Sequence, residues 1–266
     1  MPHWKITLAY DGTPYNGWQV QPNLPTVQGT LADALHHITG ESVLPQGSGR
    51  TDTGVHALAQ VATFSLAAPI PATNLHRALN RALPASIRVL FVEAVPEDFH
   101  ARHSAIRKTY EYRILPCSSD NGDDRICSPM LAPYVWPCRY SLDLAILKQS
   151  ATQILGTHDF TSFAAVDPDQ STRAERLSDA DLSSASNNIR TIQHSAWHQQ
   201  DDLFIYRVTG NGFLHHMVRN LVGTFVEAAA KRLSPDAIPT ILAARNRSAA
   251  GPTAPANGLF LVEVEY

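Results

Sequence analysis

The sequence predicts an α+β chain built of two related halves, with adjoining antiparallel or mixed sheets and a central active-site cleft. Three observations carry this. Over about the first hundred residues the chain alternates strand-length and helix-length apolar patterns in the order β-α-β-β-α-β, the ferredoxin-like (RRM-like) succession. A comparable succession of strands and helices returns from Lys108 onward. The 266 residues are 44% hydrophobic and 17% charged, which suits one large or two ordinary globular domains with a substantial core.

The elements follow in order. Trp4 to Tyr10 alternates as a strand, and Asp11 to Gln19 is rich in turn residues and aromatics. Thr26 to Ile38 carries Val27, Leu31, Ala34, Leu35 and Ile38 at helical spacing, with Thr26 as N-cap and Gly40 as stop. Strands are expected over residues 42–48 and 58–66, a helix over Pro71 to Leu83 and a strand over Ile87 to Val95. In the second half, Thr109 to Leu115 reads as a strand and Ser141 to Leu155 as a helix. Ile189 to His198 and Leu203 to Thr209 read as strands around a polar hairpin, Gln199 to Asp202. Phe213 to Arg232 and Pro235 to Ala244 read as helices, and Leu259 to Tyr266 as a closing strand. The expected domains are 1–103 and 104–266. Residues 116–137 form a polar, Pro-rich insertion, and 167–186 are similarly polar.

No apolar run approaches the roughly 18 residues of a membrane span, and no signal peptide is visible, so neither a membrane nor secretion is expected. Cys117, Cys127 and Cys138 form no CxxC pair, which argues against a zinc knuckle or a disulfide framework and favours a cytoplasmic setting. The net charge of −3 is not that of a general nucleic-acid binder. The basic residues are nevertheless clustered, with Arg102, Arg107, Lys108 and Arg113 close together and Arg50 in a glycine loop. There is no P-loop and no GxGxxG strand–helix signature, so no nucleotide cofactor is expected.

The most informative segment is Gly49-Arg50-Thr51-Asp52-Thr53-Gly54-Val55-His56-Ala57. A carboxylate held between two glycines beside a cation can serve as a nucleophile or a base. The same residues also read as an ordinary Asx turn with Arg50 paired to Asp52 at the surface. The expectation is that the loop stands at a sheet end and opens into the cleft between the halves, where binding sites are favoured. Arg219 is a candidate partner for Asp52, since a nearby guanidinium keeps a carboxylate charged.

Lys108-Thr109-Tyr110-Glu111-Tyr112-Arg113 puts two tyrosines on one sheet face with a lysine at its edge, as a base-stacking platform requires. The two tyrosines equally suit a sheet core, and Tyr15 and Trp18 could either stack a base or pack their own loop. His215 and His216 are adjacent, whereas metal ligands on a helix are spaced i, i+3 or i, i+4. On a helix they would point about 100° apart, so no metal site is expected. His158-Asp159 suggests a hydrolase only weakly, because no nucleophile motif accompanies it.

The chain resembles the tRNA pseudouridine synthase A family. The resemblance rests on Tyr10-Asp11-Gly12-Thr13, Gly17-Trp18-Gln19 and Thr26-Val27-Gln28, then on the Gly49 to Ala57 loop and Arg107 to Tyr112. Gly156 to Phe163, Phe213 to Arg219, and Ala254-Pro255 with Gly258-Leu259 continue it in the family's order. Thr53 departs from the usual Ala. The resemblance implies isomerisation of uridine to pseudouridine at positions 38, 39 and 40 of the tRNA anticodon stem-loop. It implies Asp52 as catalytic nucleophile, Tyr110 as the residue stacking on the uracil, Arg219 as the partner of Asp52, and Arg50 as an aid in opening the target base. It further implies a cofactor-free homodimer with one tRNA across both subunits. Whether the carboxylate acts covalently or as a base at the 2′ position is left open by the sequence. The rival reading is a non-catalytic RNA-binding protein of two RRM-like halves.

Overall fold

The computed structural model describes residues 1–118, 125–165 and 188–266. The stretch 167–186 lies outside the described residues, as do residues 119–124 of the polar insertion. Ten strands and five α-helices are found among the described residues, an α+β fold. They divide into two compact units, one of Met1–Tyr112, Ser128–Trp136 and Ala256–Tyr266, the other of Arg113–Cys127 and Pro137–Pro255. These bounds differ from the expected 1–103 and 104–266. The last strand and nine residues of the insertion belong with the N-terminal half, because pairing partners and not chain order set a unit.

In the first unit, β1 (His3–Tyr10), α1 (Val27–Thr39), β2 (Gln46–Gly47), β3 (His56–Ser65), α2 (Ala72–Ala82) and β4 (Ile87–Val95) follow the expected order. β1 pairs antiparallel with both β3 and β4, and β2 pairs antiparallel with β3, which gives the ferredoxin-like arrangement 4-1-3-2. The second strand is only two residues long, where the sequence predicts seven. Its pairing ends at Gly47, opposite Ala62, and the chain turns into the Gly49–Val55 loop. The rest of that edge of β3 is taken by β10 (Leu259–Glu265), which pairs parallel to it through Phe260 and Leu261. β10 then pairs antiparallel with β5 (Arg107–Pro116), Leu261 opposite Tyr110 and Leu259 opposite Tyr112. The sheet of this unit is therefore mixed.

α1 shows how far local sequence decides structure. Thr26 has extended backbone and its Oγ1 accepts from Gly29 N–H, while Gly40 closes the helix at φ 74°. The helix buries Val27, Leu31, Ala34 and Leu35, the face its spacing predicts. Thr26→Ala is expected to cost about 1 kcal/mol, read as a lower urea midpoint with an unchanged m-value. α2 is stitched to β4 by Asn80, whose amide donates to Val89 O and accepts from Val89 N–H, at 2.8 and 3.0 Å.

In the second unit, β7 (Gly156–Asp159), β8 (Ile189–Gln200) and β9 (Leu203–Gly210) form an antiparallel meander. Trp197 on β8 stacks on Tyr206 of β9 at 5.0 Å, and Tyr206 meets Phe225 edge-on at 5.5 Å. Phe225 lies on α4 (Met217–Ala229), and α3 (Leu144–Thr152) is tied to β8 by Ser195 Oγ donating to Ala151 O. α5 (Ile238–Ala244) accepts a hydrogen bond at Ile241 O from Ser162. β6 (Trp136–Cys138) and β7 were not anticipated, being short and without clear alternation.

Candidate active site

The Gly49–Ala57 segment forms a tight loop entering β3. Val55 N–H donates to Asp52 O at 3.1 Å, closing a turn with Gly54 at φ 77° in its third position. A positive φ at that position is what a type II turn requires, and glycine takes it without steric cost. The turn is gripped from the Asp11–Trp18 segment. Trp18 N–H donates to Thr51 O at 3.0 Å, and Gly54 N–H donates to Tyr15 O at 3.4 Å. Gly17 stands at φ 83°, so close that a Cβ there would lie 2.5 Å from Thr51 O. Trp18 and Tyr15 are buried, at 2% and 6% exposure, so they pack this loop and do not offer a stacking face.

The far end of the loop is clamped through His56. Its Nδ1 accepts from Gly12 N–H and its Nε2 meets Pro133 O, both at 3.0 Å. That pattern puts the ring proton on Nε2. Asp11 Oδ1 lies 3.2 Å from Nδ1, beside a lone pair already taken by Gly12, so with this tautomer the contact is not an ion pair. Tyr134 donates to Asp11 Oδ2 at 3.1 Å, and Phe260 of β10 stacks on the His56 ring at 4.7 Å. Asn257 holds the Ala132–Val135 segment by donating to Ala132 O and Val135 O. Part of the expected insertion is thus a brace for the Asp52 loop. Tyr134 and Asn257 carry no sequence signal for that role.

Asp52 is half-buried at this turn, and Arg50 is exposed two residues earlier. Tyr110 is 8% exposed on β5. Burial pushes its phenol up, and the Tyr10 hydroxyl and the Asp52 carboxylate push it further. Tyr110 is therefore a neutral phenol at physiological pH, since burial and the Asp52 carboxylate both disfavour its phenolate. Burial likewise raises Tyr10 to about 12, against the opposing hydrogen bonds from Thr51 and Gln60. Lys108, two residues before Tyr110, donates from Nζ to Ser48 O, at the mouth of the same loop. Tyr112 is fully buried and belongs to the core.

In the second unit, Arg219 stands in the first turn of α4, with Nε donating to Ala254 O at 2.8 Å and its own carbonyl accepting from Ala254 N–H. The neighbouring Asn220 is fully buried. Its amide donates to Phe163 O and its oxygen accepts from Arg247 and Thr253, so the 251–254 segment is bound to this turn of helix. His215 and His216 call for a correction. The helix begins at Met217, not at Phe213, and His216 has φ 58°. The 100° argument does not apply to a turn, and the two rings lie 3.9 Å apart. His158 and Asp159 do not work together. His158 Nε2 meets Leu155 O, whereas Asp159 accepts from Thr161 and pairs with Arg245.

Residues 6–104 and 151–266 match the family model described as tRNA pseudouridine synthase. A tRNA pseudouridine synthase A of Solibacter usitatus is 47% identical over 262 residues, covering 98% of each chain. One from Moorella thermoacetica is 45% identical over the whole of both chains, and one from Halalkalibacterium halodurans is 42% identical over 96% of this chain and 89% of its own.

Proposed function

Since this chain belongs to the tRNA pseudouridine synthase family, we propose that Asp52 is the nucleophile with which it isomerises uridine to pseudouridine in the anticodon stem-loop of tRNA. The observation that carries this reading is the half-buried Asp52 turn, braced from both sides and tied by Lys108 to the strand that bears the buried Tyr110. The uracil N1–C1′ bond breaks, the ring turns, C5 bonds to C1′, and the C5 proton leaves as N1 gains one. Product and substrate have the same atoms, so the reaction draws on no redox partner or group donor.

Tyr110, neutral and mostly buried, supplies a ring face and a hydroxyl. It stacks on the extruded uracil, which offsets part of the few kcal/mol that unstacking a base requires. Arg219 pairs with the Asp52 carboxylate. Its support is the resemblance of Phe213 to Arg219 to the family, together with the fixed Nε on Ala254. Arg50 is exposed and cationic, suited to a phosphate of the opened stem. The substrates are uridines 38, 39 and 40, and the protein acts as a cytoplasmic homodimer with one tRNA across both subunits. Among the described residues no helix is long and apolar enough to cross a membrane.

The test is tritium release from tRNA labelled at uridine C5, with no added metal or nucleotide. Stoichiometric release is expected, because C5 loses its hydrogen as it bonds to C1′. Tight tRNA binding without release would favour the non-catalytic RNA-binding reading.

A further inference from the structure

We infer that Gln60 is a positioning residue for the Asp52 turn, acting through a buried polar hub that no motif of the catalytic loop contains; the inference rests on the reaction proposed above. Gln60 lies on β3, eight residues past Asp52, with no solvent exposure. Its amide is used at every position. Oε1 accepts from Ser48 Oγ at 2.7 Å and from Val61 N–H at 3.2 Å. Nε2 donates to Gly49 O at 2.9 Å and, more weakly, to Tyr10 Oη at 3.5 Å. Tyr10 in turn bonds Thr51 Oγ1 at 2.8 Å.

One side chain therefore holds the loop at Ser48 and Gly49 and, through Tyr10, at Thr51, the residue before the nucleophile. Lys108 donates from β5 to the carbonyl of Ser48, the residue whose hydroxyl Gln60 holds, so the loop is also tied to the strand that bears Tyr110. Gln60 has no sight of the substrate. Its effect comes from the backbone it fixes, since a displacement near 1 Å at a reacting group can cost about 10²-fold in rate. A buried amide suits this task better than a hydroxyl. It is planar, it carries two donors and two acceptor sites, and it cannot ionise.

The experiment compares the wild type, Gln60→Leu, Gln60→Glu and Tyr10→Phe for tritium release and tRNA affinity across pH. Gln60→Leu should lower kcat by about 10²-fold while the tRNA Kd stays within about twofold, because the hub sets geometry and not contact with RNA. Gln60→Glu should be similarly slow near neutral pH, since a carboxylate cannot donate to Gly49 O. Its rate relative to the wild type at the same pH should climb as pH falls, because the protonated carboxyl regains one donor and burial raises its pKa. The titratable and charged groups around it are Tyr10 on β1, Lys108 and Tyr110 on β5, and Asp52 in the loop, and all of these are also present in the wild-type reference. A buried carboxylate also lowers stability as pH rises, so the rates are taken per folded molecule, and a packing defect alone would then leave those rates at the wild-type value in both variants.

A Gln60→Leu kcat equal to the wild type overturns the inference, as does an equal loss in kcat and tRNA affinity. Where Gln60→Leu gives no cooperative melt, a flat Gln60→Glu to wild-type ratio, with Tyr10→Phe at full rate, overturns it instead. A wild type that releases no tritium strikes the proposed reaction and leaves these ratios undefined, so the two failures are told apart.

Discussion

Asp52→Ala is expected to bind tRNA with near wild-type affinity and to form no measurable pseudouridine. Removing the group that acts on the reacting bond typically costs on the order of 10⁴-fold or more in rate. Affinity should survive because phosphate contacts by cationic side chains dominate RNA binding, and an acid contributes none of them. The fold should survive too, because the turn is closed by backbone bonds, Val55 N–H to Asp52 O and Trp18 N–H to Thr51 O, which an alanine keeps. Asp52→Asn is the sharper form of the test, since it preserves side-chain shape and removes the charge. Tritium release at more than about a tenth of the wild-type rate from either variant would remove Asp52 from the chemistry, a factor corresponding to about 1.4 kcal/mol of barrier.

Gly17→Ala should damage stability and rate together. The residue stands at φ 83°, where an L-side chain pays about 1–2 kcal/mol. Its Cβ would also meet Thr51 O at 2.5 Å and the Asp52 carbonyl carbon at 3.2 Å. Both contacts are backbone atoms of the Asp52 turn, so relief means moving the turn or the Tyr15–Trp18 segment. A combined loss of about 2–4 kcal/mol in unfolding free energy is expected, measured by urea titration. The rate should fall about 10²-fold in the molecules that remain folded, because the shift falls on Asp52 itself. Loss of stability with an unchanged kcat would show that the segment yields and the turn does not.

Much of this could be read from the chain. The Thr26 cap, the Gly40 stop and the apolar stripe between them define α1 within one residue, because capping and amphipathicity are short-range properties. β4 was placed at its observed ends for the same reason, as alternation bounded by Pro84–Ser86 and Pro96. The Asp52 loop and the Tyr110 strand each read equally well as an ordinary turn and a sheet core, and it is the succession of family motifs along the chain that singles them out as candidates. Short or irregular pieces were not. β2 is two residues long and β7 four, too short for a pattern to show, and α4 starts four residues after Phe213 because His216 takes a left-handed backbone that hydrophobic spacing does not reveal.

By itself, then, the sequence determined most of the local elements and, through its ordered motifs, the family to which the chain belongs, since both depend on residues near one another in the chain. Tertiary structure alone decided what holds those side chains in place. Tyr10 and Thr51 are 41 residues apart, and His56 reaches the Pro133 carbonyl across 77. The C-terminal strand slips between β3 and β5, with Phe260 opposite His56 and Leu261 opposite Tyr110, and so sets the spacing of the Asp52 loop from its tyrosine. Gln60 looked like one more residue of a half-buried strand. Three of its four hydrogen bonds, to Ser48, Gly49 and Tyr10, exist only once β1, β3 and the glycine loop have come together, because a buried amide takes its partners from whatever the fold brings within reach.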